Sequence, residues 1–109
     1  MEPNIQFKDV TKEMIAEWKK QHGEDNLFKY DVEDKNGNPL HAICMKPTRR
    51  IISYSSAVSD DAMKSNKLLV DGCWLAGDEI IKTDDGLFLG LTQKLSSLYK
   101  PVVGELVKL

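Results

Sequence analysis

This chain has little of what most enzymes display. It carries only two histidines, His22 and His41, and only two cysteines, Cys44 and Cys73. No Cys-x-x-Cys, no His-x-x-x-His and no other zinc-spaced pattern occurs, which argues against a zinc site. His41 and Cys44 are three apart. On a strand that spacing puts them on opposite faces, so His41 is not placed to activate a Cys44 nucleophile. The glycines are scattered and no Gly-Lys-Ser/Thr triplet follows any of them, so a phosphate loop is excluded. Without a secretory context the two cysteines read as small buried thiols rather than a disulfide. No apolar run approaches the roughly 20 residues that span a bilayer. The first residues, Met1 to Gln6, lack the basic-then-apolar order of a signal peptide, and a cytoplasmic protein is expected. An excess of one charge is missing too. Fifteen Lys and Arg face 17 Asp and Glu, a net charge of −2, so strong global attraction to nucleic acid or an anionic membrane is not implied.

There is also no internal repeat, no low-complexity tract and no loop long enough to be a linker. At 109 residues the chain is sized for one domain, 1–109, with one modest core. Short loops are expected around Gly23, from Asp34 to Pro39, around Ser59, and from Gly77 to Asp84.

A first helix is predicted from about Thr11 to His22, capped by Thr11 and ended by Gly23. At 100° per residue Met14, Ile15, Trp18 and His22 share one face. His22, in the last turn, reads as a capping or packing histidine that complements the helix dipole. Leu27–Val32 and Leu40–Met45 then read as strands. Asn36-Gly37 between them is the favoured centre of a type I′ turn. With those two residues at the turn centre, Val32 faces His41, Tyr30 faces Ile43 and Phe28 faces Met45. Those six form the face expected to pack on the helices, and Leu40, Ala42 and Cys44 fall on the partly exposed one.

The remainder reads as helical. One helix starts at Thr48 or Lys46, with Pro47 in its first turn, and runs to about Val58. Its isoleucines and serines are poor helix formers. The next runs from about Asp60 to Asp71 or slightly beyond. Ala62, Met63, Leu69, Val70, Cys73 and Trp74 cluster on one arc, with Asn66 in its middle, where it is expected to be buried and to bond a nearby loop. The last runs from about Asp84 to Tyr99, with Pro101 as its stop. Leu87, Phe88, Leu91, Leu95, Leu98 and Tyr99 span its apolar arc. The pairs Asp60-Asp61 and Asp84-Asp85 stand at helix starts, where capping explains them without a metal. The expected fold is α+β: an N-terminal helix, one antiparallel hairpin, and a three- to four-helix C-terminal half packed on it.

Two features stay outside this packing scheme. Lys46, Arg49 and Arg50 put positive charge at a helix start, where the dipole is already positive. They suit a carboxylate on a partner, an internal acidic residue, or a phosphate. Leu68 and Leu89 project off the core arcs of neighbouring helices and suit an apolar partner helix. Trp74 and Tyr99 would fit the same role, although core packing accounts for each. No cofactor or metal is expected.

In order, the chain carries Met45-Lys46-Pro47-Thr48-Arg49, a helix, Asn66-x-Leu68-Leu69, Cys73-Trp74-Leu75-Ala76-Gly77-Asp78, an acidic stretch leading to Leu87-Phe88, a leucine-rich helix, and Glu105-Leu106-Val107-Lys108-Leu109. From about Trp18 to Leu109 this order resembles the small tail assembly chaperones of long-tailed bacteriophages and prophages. The resemblance implies a non-enzymatic protein that binds the tape measure protein, a long helical chain. It would keep that chain soluble until tail tube subunits polymerise around it. It also implies action in the bacterial host cytoplasm, with self-association or contact with the tail tube protein in keeping. The family offers no binding-residue motif to transfer, so Lys46, Arg49, Arg50, Leu68, Trp74 and Leu89 are assigned to partner binding from their chemistry. The competing expectation, from another class, is a small nucleic-acid-associated regulator that uses the basic helix start.

Overall fold

The computed structural model describes residues 4–99 and 102–109. It is an α+β fold in which helices cover one face of a three-stranded antiparallel sheet. Helix α1 spans Lys12–His22. Thr11 caps it by accepting a hydrogen bond from the Met14 amide at 3.2 Å, and Gly23, at φ 96°, ends it. Met14, Ile15, Trp18 and His22 are its half-buried residues, so the expected face is the one that packs.

Strands β1 (Leu27–Glu33) and β2 (Pro39–Met45) form the hairpin, but one residue out of the expected register. Val32 pairs with Leu40, Tyr30 with Ala42 and Phe28 with Cys44. The Asp34 side chain is the reason. It accepts from the Asn36 and Asn38 amides, each at 2.9 Å, and from the Asn38 side chain at 3.1 Å. This widens the two-residue turn into a loop from Asp34 to Asn38, closed by an Asp34 amide bond to the Asn38 carbonyl. A one-residue slip changes which partners share a face. Leu40, Ala42 and Cys44 therefore join Phe28, Tyr30 and Val32 on the helix side, with Ala42 and Cys44 fully in the core. His41 and Ile43 turn to the opposite side with Lys29 and Asp31.

A third strand, β3 (Trp74–Gly77), lies where helix and loop were expected. It follows α3 without a break and pairs antiparallel with β2: Gly77 with Ala42, Ala76 with Ile43, and Trp74 with Cys44. Two reciprocal bonds fix it beyond the ladder. The Asp78 amide donates to the His41 carbonyl at 2.9 Å, and the His41 amide donates to the Asp78 carboxylate at 2.8 Å. The segment Asn4–Val10, with a single 3-10 turn at Phe7–Asp9, covers the second face of the sheet. Phe7 packs against His41 with ring centroids 4.6 Å apart and the planes tilted by 40°. The Gly77 amide bonds the Ile5 carbonyl, and the Asn4 amide group bonds the Gly77 carbonyl, both at 2.9 Å. Ile43 is thus buried although it faces away from the helices.

Helix α2 spans Arg49–Ser56, with Thr48 as its cap through the Ile51 amide. Pro47 is therefore not in the first turn. It stands one residue before the cap and is buried. The helix stops two residues short of Val58. Its serines have a packing role that offsets their low helix propensity. Ser65 donates to the Ser55 carbonyl at 2.8 Å and Ser55 donates back to the Ser65 carbonyl at 3.0 Å, clasping α2 to α3. Gly72 lets the same two helices approach, since a Cβ there would lie 3.0 Å from two Ile51 side-chain carbons.

Helix α3 spans Ala62–Cys73, capped by Asp61. A single turn, α4 (Ile80–Thr83), interrupts the expected loop and anchors itself through Ile81, which has no exposure. Helix α5 spans Asp85–Ser97, capped by Asp84. Both acidic pairs therefore act at helix starts, as expected. Pro101, the expected stop, lies outside the described residues. Leu69, Val70, Cys73, Ile81, Phe88, Leu91 and Leu95 meet Ala42 and Cys44 of the sheet to form the core. Asn66 is a correction: it is half-exposed and makes no side-chain hydrogen bond among the described residues.

Candidate partner-binding site

The two segments that carry the resemblance are next to each other in space. The first closes β2 and opens α2. The second ends α3, forms β3 and pairs with β2. Most of its members are structural. Cys73 and Ala76 have no exposure. Trp74 is half-buried, donates its indole N–H to the Asn4 side chain at 2.7 Å, and carries the Lys82 ammonium 5.2 Å from its ring centre. The partner role expected of Trp74 is thus matched by a role in holding the N-terminal segment and α4 to β3.

Of the basic residues at the joint, Arg50 folds back along α2. Its Nε donates to the Tyr54 hydroxyl at 3.1 Å and its guanidinium sits 5.5 Å from that ring centre. Lys46 and Arg49 are exposed and form no ion pair among the described residues. Lys46 borders a polar hollow of about 360 Å³ with His22, Asn26 and Thr48. The position of Arg49 and Arg50 at a dipole-positive end therefore finds no compensating carboxylate nearby.

The larger hollow was not anticipated. It is an open cleft of about 380 Å³ between α3 and the α4–α5 pair. Met63 and Phe88 supply apolar surface, and Lys64, Lys67 and Lys82 line it together with Asp61, Asp71 and Asp85. Met63 was expected in the core and is instead 51% exposed. The reason is positional. Only the second half of α3 lies under its neighbours, burying Leu69, Val70 and Cys73, and the first turn runs past them. The 3.6-residue period identifies a face but not where cover along it ends. Sequence reasoning also missed Lys64, Lys67 and Asp71. The signal available was Met63, Lys67 and Asp71 at i, i+4, i+8, a polar ladder with a lone methionine at its head. Asp71 is held by Lys67 at 2.7 Å and Lys82 at 3.3 Å. Partial burial alone would raise its carboxyl, but the two ammonium groups outweigh that and hold it below the ordinary value.

Leu68 and Leu89 are exposed as expected, at 37% and 47%. Neither lines the cleft, so they extend the apolar surface of α3 and α5 rather than joining Met63.

His41 and Cys44 are separated as their spacing required. The His41 ring lies 2.6 Å from the Asp31 carboxylate on the outer face, and that bond, with help from Lys29, lowers the Asp31 pKa. Cys44 is in the core. Burial, reinforced by Cys73, pushes its thiol up from 9.0 to about 12, and burial pushes Cys73 up to about 11. A raised thiol pKa makes the folded state hold its proton more tightly than the unfolded chain does. That contribution to stability is complete below pH 9 and is lost between pH 9 and about 12 as the unfolded thiols ionise. Resistance to urea should accordingly fall above pH 9, and that of a Cys44→Ala, Cys73→Ala double variant should fall less. Equal loss in both proteins would remove the thiols as the cause.

Among the described residues no three of His, Cys, Asp or Glu converge as metal ligands would, and no helix is long and apolar enough to cross a membrane. No protein-family model, curated protein or solved structure matches the chain.

Proposed function

We propose that this protein acts by stoichiometric binding, as a phage tail assembly chaperone that holds a tape measure protein in solution before the tail tube forms around it. The observation that carries this reading is the cleft between α3 and α5. An amphipathic helix needs an apolar strip to cover its own, and a rim that tolerates both charges along its flanks. Met63 and Phe88 provide the first, and the three lysines and three aspartates of the lining provide the second. A long helix repeats such a face many times, so several copies of a small protein can shield it along its length. The order of motifs from Met45 to Leu109 points the same way. Arg49 and Lys46, free of ion pairs among the described residues, suit acidic stretches of the same partner.

Co-expression with the tape measure protein of the same locus is the test. A soluble complex that copurifies is expected, and loss of copurification is expected when Met63 is changed to Glu. A partner that stays insoluble and never copurifies would end this reading. The alternative, a nucleic-acid-associated regulator, draws on the exposed Lys46 and Arg49. It requires DNA or RNA binding that weakens steeply with salt, and no binding at low salt would remove it.

A further inference from the structure

The segment Val102–Leu109 has no place in the body. All eight residues are exposed and none is in a helix or strand. Its apolar side chains are uncovered to an unusual degree: Val102, Val103, Leu106, Val107 and Leu109 are between 76% and 120% exposed. The molecule measures 57 Å along its longest axis against 32 Å along the next. The excess of about 25 Å is the length of eight residues in extended form, at about 3.3 Å each. Exposed throughout and outside any helix or strand, the segment is an arm not packed on the body, and an extended form would account for the long axis. Five large apolar side chains left in water are a cost that monomeric soluble proteins seldom carry in one stretch.

The body offers a matching acceptor. In the sheet order β1-β2-β3 the strand β1 is an edge, and among the described residues it pairs with β2 alone. One row of its main-chain donors and acceptors is open to a further strand. Beside that edge lies a groove of about 270 Å³ between β1 and α5. Its apolar wall is made by Phe28, Tyr30, Leu91, Leu95 and Leu98, and the charged residues that line it are Lys94 and the paired Lys29 and Asp31. Phe28, at 38% exposed, is its least covered large residue.

We infer that this arm adds as a fourth strand to the β1 edge of a second copy of the chain, and that Val103, Val107 and Leu109 fill the groove between β1 and α5 there. Side chains alternate along a strand. One side of the arm carries Val103, Glu105, Val107 and Leu109, and the other carries Val102, Gly104, Leu106 and Lys108. With the first side inward, Glu105 meets a groove in which Lys94 forms no ion pair among the described residues, and Lys108 faces the outer row, where Glu33 stands beyond the Lys29–Asp31 pair. The arm's β-branched valines favour the extended form it needs. Reciprocal exchange of two arms would bury on the order of 2,000 Å², above the roughly 1,200 Å² at which specific interfaces begin. This inference does not depend on what occupies the cleft between α3 and α5, which lies elsewhere on the body.

The full chain, followed by light scattering from micromolar to millimolar concentration, tests it. A concentration-dependent dimer is expected. Val103→Asp with Val107→Asp should weaken association at least tenfold, and Phe28→Glu should do the same. The arm variant alters residues that pack on nothing in the monomer, so it decides alone if Phe28→Glu fails to fold. Mixing the two variants should restore a heterodimer, because one retains a groove and the other an arm. A wild-type protein that is monomeric at every concentration would overturn the inference, whether its arm is free or folded onto its own groove. So would a dimer that survives the arm variant unchanged.

Discussion

Gly77→Ala should cost about 3 kcal/mol, the upper end of what an overpacked site loses. A methyl at this position would lie 2.7 Å from the Ala42 Cα, 2.8 Å from its Cβ and 2.9 Å from the His41 carbonyl oxygen. The first and last are backbone, and Ala42 has no exposure, so nothing flexible can yield. Either β3 separates from β2 or the pair rotates. Both moves reach further than the strand. The Gly77 amide and carbonyl hold the segment at Asn4 and Ile5, and the paired Asp78–His41 bonds sit at the next residue. Against a total stability of roughly 5–15 kcal/mol, such a loss would be plain in a urea melt. An unchanged midpoint would mean that β3 does not lie against β2 at this distance.

Leu91→Ala should cost about as much, within the roughly 2–5 kcal/mol typical of a buried leucine truncated to alanine. Leu91 is 1% exposed and sits among the core residues that α3, α4 and α5 press onto Ala42 and Cys44. The side chains around it are fixed by three different elements, so the vacated space cannot close by moving one of them. Leu89 is the control on the same helix. At 47% exposed its truncation should change stability by less than about 0.5 kcal/mol. Measuring both midpoints separates the packed face of α5 from its open one. Equal losses would place the helix in a different rotation.

How much of this was legible in the sequence follows from how local each determinant is. Helix α1 needed only Thr11, Gly23 and a 3.6-residue period, all within a dozen residues, and it lies where those signals put it. Asp84 was legible for the same reason, whereas the other two starts were legible only to within a residue or two: Thr48 caps rather than Lys46, and Asp61 rather than Asp60. The hairpin was legible as a hairpin but not in register. Asn36-Gly37 is a strong signal for a two-residue turn, and the Asp34 carboxylate, by collecting three donors, overrides it. Strand β3 was hidden because Cys73 and Trp74 continue the apolar arc of α3. Its extended form depends on pairing with β2, some thirty residues earlier, and no short window of sequence carries that. The candidate site was legible only in part. Arg49, Lys46, Leu68 and Leu89 are exposed as their positions implied. The cleft depends on where α5 stops covering α3, which is a tertiary fact.

The most direct measurement of the central proposal is amide hydrogen exchange on the chain, free and in complex with the tape measure protein. Slower exchange is expected in the first half of α3, around Met63 to Lys67, and in the first turns of α5 around Phe88, with the sheet unchanged. Unaltered exchange at both helices in a complex that has formed would contradict it. Protection confined to Lys46–Arg50 would contradict it equally, and would move the binding surface to the joint between β2 and α2.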